Sequence, residues 1–107
     1  MTDALRARCQ GFVLAPDMVD HAVRVWRRWR SGEIEAAEAC YRAVLPEIVF
    51  AMRGGVEHLV AYGKRIFAHR AGGLAAHDRS PCEPVTAFGL AAAERHARAL
   101  GPFPTLP

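Results

Sequence analysis

Four glycine-bearing breaks cut this chain into pieces of helix length, and between them apolar residues recur at three- and four-residue spacing. Gly32, Gly54-Gly55, Gly72-Gly73 and Gly101 each stand where a helix would stop on a residue free to adopt positive φ. The pattern predicts a mostly α fold of about four helices in a single module spanning residues 1–107. Pro16 suits an N-terminal turn, and Asp17 and Asp20 favour the positive end of a helix that runs to Arg30. Met18, Ala22, Val25 and Trp29 repeat on one face of it, and Val19, Val23 and Trp26 form a second stripe, so this helix is expected to lie between two neighbours. Either reading of the two tryptophans, core or interface, implies burial.

After Ser31-Gly32, Glu33 and Glu35 open a second helix whose stripe is Ile34, Ala37, Tyr41, Leu45, Ile48 and Met52. Pro46 lies inside it, removes a backbone donor and crowds the carbonyl of Arg42, so a kink or a restart is expected there. The third helix occupies GVEHLVAYGKRIFAHRAGG. Val56, Leu59, Val60, Gly63, Ile66 and Phe67 make its apolar stripe, with Glu57, Lys64, Arg65 and His69 largely outside it. Residues 74–85 read as an extended connector because of Pro81 and Pro84, and Thr86 can cap a last helix through Leu100 before Gly101-Pro102. Residues 1–16 leave two readings open. ALRAR can start a helix, and CQGFVLA can be a short buried strand closed by Pro16.

A chain of 107 residues suits one small domain, too short for an eight-stranded barrel. Net charge is +3, carried by thirteen arginines and one lysine and densest at Arg24, Arg27, Arg28 and Arg30; this mild basicity is read as composition, with no nucleic-acid partner. Cys9, Cys40 and Cys82 are odd in number and widely spaced, which fits free, partly buried thiols in a reducing compartment. No apolar run approaches the ~20 residues of a membrane helix and the N-terminus lacks a signal-peptide core, so no membrane is expected and the location is read as cytoplasmic.

Lys64 is the one residue that invites a Schiff-base reading. Such a lysine needs a desolvated pocket or a neighbouring cation; Arg65 and Arg70 could supply charge and Tyr62 could relay a proton. Against this, a lysine on the polar side of an amphipathic helix is ordinarily solvated or salt-bridged. His21, His58, His69, His77 and His96 show no HExxH or other short pairing that would put two metal ligands on one helix face. His77-Asp78-Arg79 is a compact polar trio suited to anchoring the connector. No glycine pattern makes a phosphate loop, and Ser31 and Ser80 are the only serines, with no GxSxG elbow. No catalytic, cofactor-binding or metal-binding residue is therefore assigned, and no cofactor is expected.

Read in order, GFVLAPDMVDHAVRVWRRWRSGEIEAAEACYRAVLPEI, VFAMRGGVEHLVAYGKRIFAHRAGG and HDRSPCEPVTAFGLAAAERHARALG resemble the C-terminal end of the dihydrodipicolinate synthase and N-acetylneuraminate lyase family. The resemblance covers nearly the whole chain and rests on the order of five weak motifs, among them the Leu45-Pro46 helix and the Gly63-Lys64 pair. It implies the helical extension that follows a (β/α)8 barrel, in a family of lyases and aldolases working through a pyruvate-type Schiff base. Arg8 to Leu14 would then be a remnant of the last barrel strand. The family's Schiff-base lysine and its tyrosine stand on earlier barrel strands, so Lys64 matches the extension and no catalytic residue carries over.

On that reading the chain alone is inactive and acts in packing or oligomerisation, through self-association or a barrel-containing chain. Faces built from Trp26, Val49 and Phe67 are expected to expose apolar patches. The alternatives are a free-standing, arginine-rich helical binding or regulatory module, and one half of an enzyme split over two chains.

Overall fold

The computed structural model describes residues 1–82 and 84–104. Among them every regular element is helical: α1 (Thr2–Arg6), a 3-10 turn (Pro16–Met18), α2 (Val19–Arg30), α3 (Ile34–Met52), α4 (Gly55–His58), a π turn (Leu59–Gly63), α5 (Lys64–Arg70) and α6 (Ala87–Leu100). The glycines end these elements as their conformational freedom requires. The Glu33 N–H reaches back to the Arg28 carbonyl at 2.9 Å across left-handed Gly32 (φ 84°), and the Gly73 N–H reaches the Ala68 carbonyl at 2.9 Å past Gly72 (φ 91°). Thr86 caps α6 by accepting the Gly89 N–H at 3.0 Å.

Two side-chain clusters make the core. The larger joins α3 to the π turn, α5 and α6 through Val44, Phe50, Tyr62, Ile66, Ala93 and Leu100; the smaller joins α1, α2 and the start of α3 through Leu5, Val25 and Ala37. Tyr41 packs on both. Many of the buried residues are alanine, and among the large side chains of the described residues only Ile66 and Val25 are wholly enclosed. Alanine interfaces let helices approach closely but bury little area per residue, so this core is thin.

Several expectations change. α3 is continuous through Pro46, with no restart. Pro46 and Arg42 both lie exposed, so the carbonyl that loses its helical donor faces water. The buried face of α3 holds Ala37, Val44, Glu47, Phe50 and Ala51 instead of the Leu45 stripe, and Ile34 and Met52 at its ends are exposed. Residues 7–15 form neither helix nor strand. Arg8 takes φ 62°, Val13 is fully exposed, and no described strand lies alongside to pair with this segment, so the strand reading fails for want of a ladder. On α2, Ala22 and Val25 of the first stripe are covered, while of the second stripe Val19 and Val23 remain exposed and Trp26 is half-buried.

The third helix is three pieces in one rod. The π turn carries one extra residue in its hydrogen-bonded ring and so shifts the helical phase. Before it His58 points inward while Val56 is exposed; within it Val60 is exposed and Ala61, Tyr62 and Gly63 are buried, and beyond it Ile66 and Arg70 are buried. The even stripe expected from Val56 to Phe67 is broken for that reason.

Candidate functional site

Arg70 at the end of α5 has a side chain that is 0% exposed. Its guanidinium donates to both Asp20 carboxylate oxygens, at 2.9 and 2.7 Å, to the Gly101 carbonyl at 2.6 Å and to the Asp17 carbonyl. It lies 4.1 Å from the centre of the Phe103 ring. One side chain thus ties α5 to the start of α2 and to the exit of α6. Burial alone would raise the Asp20 carboxyl, but the hydrogen bonds and charge of Arg70 outweigh it and hold the group below the usual carboxylate range.

Asp17 beside it is treated differently. Its residue is 5% exposed, and its Oδ1 has no hydrogen-bond partner within the protein. Burial pushes its carboxyl above the ordinary aspartate value, and the backbone N–H groups at Asp17 and Met18 and the charge of Arg70 only partly offset that. Asp17 lines an open groove of about 410 Å³ between the clusters, walled otherwise by apolar side chains such as Phe12, Met18, Val44, Ile48 and Leu59. Gly63 packs against the same acid: a Cβ there would sit 3.5 Å from Asp17 Oδ2.

A second polar group fixes the connector. Asp78 accepts from Arg65 at 2.6 and 3.2 Å and pairs with Lys64, whose Nζ also donates to the His77 carbonyl at 2.5 Å. Arg65 and Lys64 hold the Asp78 carboxyl far below the usual range. Lys64 is therefore one arm of an ion-paired latch between α5 and the connector. Of the residues that a Schiff-base reading grouped around it, Arg65 shares Asp78 with it, and the other two are engaged elsewhere. Arg70 is bound to Asp20, and the Tyr62 hydroxyl accepts the Thr86 N–H at 3.1 Å and lies 3.5 Å from the Thr86 hydroxyl, contacts that hold the phenol below its ordinary value.

The histidines are dispersed. His21 Nε2 is 3.0 Å from the Leu100 carbonyl, His58 Nδ1 is 3.2 Å from the Ala51 carbonyl, and His96 Nδ1 is 3.5 Å from buried Glu47. Among the described residues no group of three or more His, Cys, Asp or Glu is placed to hold a metal ion. All three cysteines are free; Cys9 and Cys82 are exposed and only Cys40 is partly buried, which corrects the expectation for the first two. Trp26 and Trp29 are half-buried in the smaller cluster, with Arg30 over one ring and Arg6 over the other. Phe67 packs on Phe103, so of Trp26, Val49 and Phe67 only Val49 is exposed outright, at 63%.

Sequence reasoning missed Asp17 and Arg70 as the centre of the fold. The available signal was Asp17 set between Pro16 and the apolar Met18-Val19, an acid with little water to face. No protein family, characterised protein or solved structure matches the chain. Among the described residues no helix is long and apolar enough to cross a membrane.

Proposed function

We propose that this chain is the C-terminal helical portion of a dihydrodipicolinate synthase-type lyase or aldolase, and that on its own it is inactive and serves as a packing or oligomerisation module in the cytoplasm. The observation that carries the reading is surplus surface. The chain exposes 7140 Å², whereas a compact monomer of 11.7 kDa would expose roughly 5,900 Å². The radius of gyration is 14.6 Å, against about 13 Å for a compact chain of this length. The difference in area, on the order of 1,200 Å², exceeds the roughly 800 Å² that each partner gives to a standard interface.

The exposed apolar residues have the right character for that use. Val49 and Met52 at the end of α3, Val56 and Val60 on the next rod, and Phe88 on α6 are each more than half exposed. A thin alanine-rich core with large apolar residues turned outward is what helices evolved to cover another body would show when described alone. The order of motifs from GFVLAP to HDRSP supports the family reading, and the ion-paired Lys64 is compatible with a lysine that marks the extension without doing the chemistry.

Sedimentation velocity over a concentration series tests the packing role. Self-association, or stable association with a separately supplied barrel portion of such a lyase, is expected; a species that stays monomeric at all concentrations and binds no barrel refutes it. Pyruvate with borohydride should trap no adduct on the purified chain. An adduct that disappears in Lys64→Arg would overturn the claim of inactivity.

A further inference from the structure

We propose that residues 10–14 pair, as an antiparallel strand about a two-fold axis near Phe12, with the same residues of a second copy of this chain. The pairing rests on the packing reading above for the existence of a partner, and adds which partner and which contact.

α1 ends at Arg6, and its exit closes with the Cys9 N–H on the Ala4 carbonyl at 2.9 Å. From Gln10 to Leu14 no backbone N–H or C=O is bonded to another described backbone group. The Cys9 thiol, which donates to the Gly11 carbonyl at 3.0 Å, is a side-chain contact and leaves the row of amides untouched. The stretch is free of helix and turn, and Phe12, Val13 and Leu14 are residues of strand or neutral propensity without charge. Phe12 anchors it edge-on to Trp26, with ring centres 6.2 Å apart, while Val13 is wholly exposed and Leu14 is exposed beside it. A β-prone segment, held by one side chain and unpaired along its backbone, is a template to which another strand adds.

The surroundings of the segment suit a second copy of a basic chain. Phe12, Val13 and Leu14 line the groove of about 410 Å³ together with Ile48, Met52 and Leu59, and Val13, Leu14 and Met52 are exposed at it. Of the thirteen arginines none lines this groove, so two copies can cover its apolar surface without setting cation against cation. The surplus area, on the order of 1,200 Å² against roughly 800 Å² per partner in a standard interface, is sufficient for such a contact. Charge also selects the direction. Arg8 is the nearest charged side chain before the segment, and parallel strands would set the two copies of it side by side. Antiparallel strands centred on Phe12 separate them by eight residue steps, about 27 Å, well beyond the roughly 8–10 Å over which exposed charges act. The same stretch then supplies both halves of the contact, which closes as a two-fold pair.

Sedimentation velocity over a concentration series, combined with amide hydrogen exchange, tests the pairing. The wild-type chain should form a dimer, and amides of residues 10–14 should exchange freely when dilute and roughly tenfold or more slowly where the dimer predominates. Val13→Pro removes a donor from the row in both copies and should weaken dimerisation by about tenfold or more. Val13→Asp, at a position wholly exposed in the single chain, brings like charges together across the axis and should weaken it similarly. Phe88→Asp, exposed on α6 and outside the groove, should leave it unchanged. Dimers whose residues 10–14 stay unprotected, or that survive both Val13 variants, overturn the pairing and leave the packing role standing. A chain monomeric at every concentration overturns the pairing too, and the packing role then stands or falls on binding to a separately supplied barrel portion. Protection that appears only with that barrel portion overturns the choice of a second copy. Circular dichroism checks that each variant folds; should neither Val13 variant do so, exchange in the wild-type chain decides alone.

Discussion

Replacing Arg70 by methionine should cost this protein about 3 kcal/mol, a large share of the roughly 5–15 kcal/mol that holds a domain of this size together. The figure follows from what the substitution strands. Methionine keeps most of the apolar stem packed under Phe103 but withdraws the donors that serve Asp20, Asp17 and Gly101. Removing one partner of a buried ion pair costs about 3–5 kcal/mol because the other charge stays behind. The Asp20 side chain retains 12% exposure, so water can reach it in part, and the lower end of that range applies.

Urea unfolding followed by circular dichroism and by Trp26 and Trp29 fluorescence gives the free energy directly, and the melting temperature should fall by about 10–20 °C. Asp20→Leu in the Arg70→Met background should recover at least about 1 kcal/mol, since the stranded charge is gone. The sign with pH is fixed too. Asp20 has its folded pKa depressed, so its contribution is present above the unfolded value of 3.8 and is lost as pH falls through the lower folded value. The penalty of Arg70→Met should therefore shrink in acid. A loss under about 1 kcal/mol at neutral pH, with an unchanged denaturant slope, would refute the clasp as the organiser of the fold.

Gly89→Ala ordinarily stabilises a helix interior by roughly 1 kcal/mol, yet here the new Cβ would collide with the Tyr62 ring and hydroxyl, so a net loss of about 1–3 kcal/mol is expected, turning into a gain in a Tyr62→Ala background. Pro46→Ala should stabilise α3 by roughly 1–2 kcal/mol in thermal denaturation, because it restores a helical donor to the Arg42 carbonyl and loses only the chain-stiffening effect of proline. The latch at Asp78 should hold the connector at neutral pH and release it as pH falls from 3.8 through the depressed folded value; limited proteolysis within residues 74–82 should show Asp78→Asn cut faster at pH 7 and equal to wild type in strong acid.

Much of the helical frame was readable from local chemistry. Gly32, Gly72 and Gly101 end helices at positive φ, and Thr86 caps α6, because these effects act within one turn and leave a mark on residue type. What was not readable depends on partners far along the chain. Arg70 finds Asp20 across 50 positions, and nothing in its own neighbourhood separates it from a solvated arginine. Glu47 is buried with one oxygen unpartnered, so a polarity pattern places the inner face of α3 on the wrong side of it. CQGFVLA has strand composition, but a strand needs a neighbour, and composition carries no information on whether one is supplied. The groove is likewise a product of how two clusters fail to merge, which no single helix encodes.

The π turn at Leu59–Gly63 acts as a built-in one-residue spacer. It sets the rotational phase between the His58 side of the rod and the Arg70 side, and each residue of an α-helix advances that phase by about 100°. Deleting one residue in this turn would let a regular α-helix form with better local hydrogen bonding, and would turn Arg70 away from Asp20 at the same stroke. Local regularity and the global clasp are therefore in competition in this rod, and the chain keeps the less regular backbone because the distant ion pair depends on it.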